Sequence, residues 1–154
     1  MDADSFKREI DDIIGRTGWA VIHVVPREGE DDSPYTYTVG LAARGWPELA
    51  VSGFRQELAI AVLNDVAGQM MNGAVFEPGQ RIGEVIEGFG LIVVDGTDQA
   101  GPDTIWPGAA LERYGPGIRL HQLVWPDMGG HYPWDDEYGL PDHEQIVLAT
   151  PGDR

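Results

Sequence analysis

The sequence contains no cysteine, so disulfides, thiolate zinc sites, iron–sulfur ligation and a cysteine nucleophile are all excluded. Basic residues are scarce: ten Lys+Arg stand against 26 Asp+Glu, a formal net charge of −16, and Lys7 is the single lysine. An extended contact with nucleic-acid phosphate or an anionic lipid surface would meet repulsion, so neither partner is expected. No apolar run approaches the roughly 18 residues of a membrane span, and Met1 to Glu9 carries acids where a signal peptide needs an apolar core. A cytoplasmic protein is expected. Also absent are HExxH, a Walker sequence, a Gly-x-Ser-x-Gly elbow around Ser5, Ser33 or Ser52, a dinucleotide fingerprint and any internal repeat.

What is present fits one globular domain over 1–154: the 154 residues are 42% hydrophobic and 23% charged, ordinary values for a chain that folds alone. Asp4 to Arg16 reads as an amphipathic helix with Phe6, Ile10, Ile13 and Ile14 on one stripe. Trp19 to Val25 is apolar and β-branched and reads as a buried strand, with His23 a hydrogen-bonded core histidine. The acidic run Glu28 to Asp32 and Ser33-Pro34 form a solvated connection to a partner strand, Tyr35 to Leu41, whose alternating Tyr and Thr suit a half-exposed sheet surface. After the Gly45-Trp46-Pro47 turn comes a third strand, Glu48 to Ser52. Phe54 to Asn72 is a helix carrying the ladder Leu58, Val62, Val66 and Met70, with Gly73 as its stop. Residues 82–95 return to a strand pattern that Glu84, Glu87, Gly88 and Gly90 break by a bend or bulge. Asp103 caps a shorter helix through Tyr114, Leu120 to Trp125 is a strand, Asp127 to Asp142 an ordered loop, and Ile146 to Ala149 an edge strand. The fold class is α+β: a mainly antiparallel β-sheet with one long helix, 54–72, packed on a face, and a Trp/Pro-rich C-terminal loop.

The stretch Gln122 to Trp134 (QLVWPDMGGHYPW) holds the strongest site signal. Proline followed by aspartate and glycines reverses the chain, so Trp125-Pro126 and Pro133-Trp134 are expected to fold back with both indoles over one patch of the sheet edge. One reading makes this a lid on the core. The other makes it an aromatic-walled pocket in which Trp125, Tyr132 and Trp134 stack on a planar ligand while Asp127 or His131 orients it, with Tyr37 and Arg44 presenting polar groups beside the cleft. His121, His131 and His143 with interleaved carboxylates supply residue types for a metal, but no spacing matches a metal pattern, and no metal or cofactor is expected.

Gly18-Trp19, Tyr37-Thr38-Val39-Gly40-Leu41, Gly45-x-Pro47-Glu48-Leu49 with Gly53 beyond it, the helix from Glu57 through Leu63-Asn64-Asp65, and Gln122-x-Val124-Trp125-Pro126-Asp127-x-x-Gly130-x-x-Pro133-Trp134 together make the chain resemble a bacterial family, domain of unknown function 4262. The resemblance covers about residues 18–135, leaving an N-terminal helix at 1–17 and an acidic C-terminal extension at 136–154. It implies no activity and no catalytic residue. The Tyr-Thr-Val-Gly-Leu segment is also similar to the substrate strand of flavin-reductase-like split barrels.

Three functional expectations follow. The first is a small non-enzymatic binding or protein-interaction module, immunity- or antitoxin-like in character, whose acidic surface meets a basic protein partner and whose Trp-rich loop adds the apolar contact. The second is a domain or enzyme that binds a small molecule, such as a flavin-like heterocycle, in the aromatic pocket. A third, a hydrolase or metal enzyme, would centre on His121, His131 and Asp127. The sequence sets no oligomeric state.

Overall fold

A computed structural model describes residues 3–26 and 33–151 of the chain. In order these form α1 (Ala3–Thr17), β1 (Ala20–Val24), β2 (Tyr35–Val39), a 3-10 turn (Leu41–Arg44), β3 (Glu48–Ser52), α2 (Gln56–Met71), β4 (Arg81–Ile86), β5 (Phe89–Asp95), α3 (Gly108–Tyr114), β6 (Leu120–Val124) and a second 3-10 turn (Asp142–Glu144). The strands make a six-stranded sheet in the order β1-β2-β3-β6-β5-β4. Every neighbouring pair is antiparallel except β3 and β6, which run parallel. The fold is α+β with a mixed sheet. β6 returns beside β3 only after α2, the β4–β5 hairpin and α3, the kind of long crossover that parallel neighbours require.

Side-chain alternation along the strands assigns each face. Leu49 and Val51 of β3, Leu91 and Val93 of β5 and Leu123 of β6 point to α2, whose Ala59, Val62, Leu63, Val66, Ala67 and Met70 are buried against them. Gly73, at φ +103°, ends that helix with its N–H on the Met70 carbonyl, a left-handed stop that a side chain would strain. On the reverse face Tyr37, Val39, Ala50 and Leu120 pack with Ile10 of α1 and Ala110 of α3. The single covering helix of the sequence reading is therefore half of the arrangement: α1 has 15 residues to the 16 of α2, and the sheet lies between them.

That sandwiching corrects several local expectations. Thr36 to Val39 is wholly buried rather than half-exposed, because both faces of β2 are covered. The strand expected to be buried, β1, lies at the sheet edge; only Ala20 is fully buried, and His23 bonds Thr36 Oγ1 at 2.7 Å. Phe6, expected on the apolar stripe of α1, is 40% exposed while Ile10 is buried. Residues 81–95 form a hairpin that turns at Glu87-Gly88, and its register shifts between Ile82 and Ile86, which is the expected irregularity. Asp103 does not cap α3, which begins at Gly108 behind Pro107, where the fixed proline φ starts a helix without needing an N–H. Ile146 to Ala149 is not an edge strand. The Gln122 side chain supplies its bonds instead, donating to the Ile146 carbonyl and accepting the Leu148 N–H at 2.8 Å, and so straps the segment across the sheet. The acidic connection Glu28 to Asp32 lies outside the described residues.

Candidate functional site

Odd-numbered residues of β6 face α2, and Trp125 continues that phase just beyond the strand. Its ring stacks on Phe54 with centroids 5.2 Å apart, and its indole N–H donates to the Ser52 carbonyl at 2.6 Å. Gln145 holds its backbone from both sides: the Trp125 N–H donates to Oε1 and Nε2 donates to the Trp125 carbonyl, each at 3.0 Å. Gly53, at φ +92°, makes room for the ring; a Cβ there would stand 2.8 Å from Trp125 Cζ2.

Pro126 and Asp127 then reverse the chain and carry Tyr132 and Trp134 to the opposite face. Their rings stack with centroids 5.5 Å apart and 5° between planes, against Ile92 and Val94 of β5, Val124 of β6 and Val147 of the strap. The Tyr132 hydroxyl donates to the Gly90 carbonyl. The two indoles thus lie on opposite sides of the sheet, not over one patch of its edge as the sequence suggested. The groove that Trp134 lines does not include Trp125.

Asp127 is the knot of this loop. Its Oδ1 accepts the N–H groups of Gly129 and His131, each at 2.9 Å, and its Oδ2 accepts that of Gly139 at 2.8 Å. The His131 N–H, with those of Gly139 and Gly129 and the nearby His131 ring, holds the carboxyl below its ordinary 3.8. The unfolded state therefore binds the proton more readily, and the stabilisation is present above pH 3.8 and lost as pH falls through the lower folded value. Asp127→Asn should lower the urea midpoint near neutral pH, with the gap to the wild type closing below pH 3.8; a gap independent of pH would contradict this role.

The remaining candidates lie elsewhere. Tyr37 is buried on the α1/α3 side, its hydroxyl accepting the Ala109 N–H at 3.1 Å, and burial raises its pKa. Arg44 sits in the turn before β3 with its guanidinium 5.5 Å from the Trp46 ring centre, at the end of the sheet away from Trp125. The structure brings together Asp127 with His131, and Tyr132 with Trp134, and separates the rest. His121, at the start of β6, is likewise apart from Asp127 and His131 beyond its end, and no three metal-ligating side chains gather among the described residues.

Three features escaped the sequence reading. A groove of ≈ 600 Å³ runs between the loop and the strap, lined by Pro133, Trp134, Tyr138, Asp142 and Val147. A smaller cleft of ≈ 220 Å³ opens at the other end of the α2 face and includes His121. Glu48, fully buried, binds the chain start of the first 3-10 turn. Only the last left a local mark, an acid heading an apolar strand directly after a Trp-Pro turn.

The family model described as Domain of unknown function (DUF4262) matches residues 13–139. The chain belongs to this family. The DUF4262 match takes in all six strands with α2 and α3, and ends before the strap and the Gln145 clamp. Neither the curated proteins nor the solved structures give a match to the chain. No described helix is long and apolar enough to cross a membrane.

Proposed function

We propose that this domain is a non-enzymatic protein-interaction module that takes a basic segment of a partner, anchored by an apolar side chain, into the groove beside Trp134. The observation that carries this reading is the pairing of aromatic walls with a one-signed rim. Asp142 lines the groove, Asp136, Glu137 and Glu144 are exposed in the flanking segments, and no lysine or arginine occurs between Leu120 and Asp153. Such a surface steers cations and leaves apolar area at Trp134 and Tyr138 for a hot-spot contact. An immunity- or antitoxin-like role, neutralising a basic protein, is one setting for it. The heterocycle-binding alternative loses support because Trp125, Tyr132 and Trp134 do not surround a common space.

A synthetic peptide alternating arginine with leucine, titrated calorimetrically, tests the proposal against the same peptide with glutamate for arginine. The basic peptide should bind and weaken at least about tenfold as salt rises from ~0.05 to ~0.5 M, since the Debye length shrinks several-fold. Trp134→Ala should weaken it further. Equal binding of the acidic peptide, or no binding of the basic one at low salt, would overturn the reading.

A further inference from the structure

The ≈ 220 Å³ cleft carries an inference independent of the peptide groove. It sits where the C-terminal turn of α2 leaves the sheet. In register, Leu49 of β3 lies beside His121 of β6, and His121 beside Asp95 of β5, so one row of side chains runs beneath it. Val66 and Met70 of α2, Leu123, Val93 and Phe76 make its walls apolar.

Three polar side chains line this apolar space. His121 is only 7% exposed and makes no side-chain hydrogen bond to a described residue, and its ring nitrogens stay reachable by solvent, so the ring is free to meet whatever enters the cleft it lines. Burial pushes its pKa below the ordinary histidine value of 6.5, and Arg119 adds to this against the pull of Asp95 and Glu77. Near neutral pH the ring is uncharged and offers one donor and one acceptor. Arg119 gives one N–H to the Gly45 carbonyl and keeps its other donors. Glu77 also lines the cleft, and among the described residues it forms no ion pair with Arg119. The cleft therefore presents a guanidinium and a carboxylate that are not paired with each other.

We propose that this cleft binds a free α-amino acid with an apolar side chain. The ligand carboxylate meets Arg119 and the His121 N–H, its ammonium meets Glu77, and its side chain enters between Val66, Met70 and Phe76. The volume corresponds to about seven waters at roughly 30 Å³ each, the scale of one such molecule. Charge selects the zwitterion. A simple carboxylate would face Glu77 and a chain of net charge −16, and a simple amine would face Arg119.

The test follows the His121 imidazole and Trp46 indole resonances by ¹H–¹⁵N correlation while L-leucine is added, in parallel with 4-methylpentanoate, which lacks the ammonium, and 3-methylbutylamine, which lacks the carboxylate. Leucine should give saturable shifts at both, and each truncated analogue should bind at least tenfold more weakly, about 1.4 kcal/mol. Glu77→Gln should erase the preference over 4-methylpentanoate and Arg119→Gln that over 3-methylbutylamine. Both residues are exposed, so an unchanged Tm verifies that the variants remain folded. Failure of leucine, valine and phenylalanine alike to shift either resonance by ~10 mM, ten times a 1 mM Kd, overturns the proposal, as does equal binding of leucine and 4-methylpentanoate.

Discussion

Glu48→Gln is expected to destabilise the fold by about 2–6 kcal/mol, read as a lower urea midpoint at neutral pH with an unchanged slope. The carboxylate is completely buried. Its Oε1 accepts from the Thr38 hydroxyl at 2.8 Å and the Leu41 N–H at 3.1 Å, and its Oε2 from the N–H groups of Gly40 at 3.0 Å and Ala42 at 3.2 Å. The Thr38 hydroxyl is committed as a donor here because it accepts the Leu49 N–H at 2.9 Å. Burial pushes the carboxyl pKa upward, and these four donors oppose it. Glutamine keeps one oxygen and turns an NH₂ toward two backbone N–H groups. Those two donors lose their acceptor at about 1–3 kcal/mol each, which gives the stated range. A change below about 1 kcal/mol would show that water replaces the missing oxygen.

Trp125→Ala should cost about 3–5 kcal/mol, the usual loss for a large aromatic removed from a packed site. The substitution removes the stack on Phe54 and the bond to the Ser52 carbonyl, and it empties the niche that Gly53 leaves for the ring. Ser52 Oγ also accepts the Ile146 N–H at 2.8 Å, so the same corner ties the strap to β3. The expected pattern sets the two tryptophans apart. Trp125→Ala lowers the midpoint strongly, whereas Trp134→Ala mainly weakens the basic peptide, because Trp134 lines the open groove. Equal loss of stability in the two variants would contradict the division.

Local sequence made much of the framework legible. The four-residue ladder from Leu58 to Met70 sets the buried face of α2, and Gly40 and Gly53 mark the ends of the β2–β3 hairpin at positive φ. What local pattern does not contain is the partner across the sheet. β3 and β6 are five-residue strands buried throughout, and such runs state neither direction nor neighbour. The Tyr-Thr alternation of β2 reads as half-exposed because it is polar on one side, yet Thr36 is satisfied by His23 and Thr38 by Glu48, both distant in sequence. For the site, the phase of β6 places Trp125 with Leu123, but the face reached by Trp134 depends on the path through the Asp127 knot. The His121 cleft requires β3, β5, β6 and the end of α2 together, so no window of the sequence displays it.

The claim on which the rest depends is that the chain passes from one face of the sheet to the other between residues 125 and 134. A nuclear Overhauser spectrum read at the tryptophan indole protons tests it directly. The account predicts cross-peaks from the Trp125 indole to Phe54 and from Trp134 to Tyr132 and Val147. Cross-peaks joining the Trp125 and Trp134 rings to each other would contradict it.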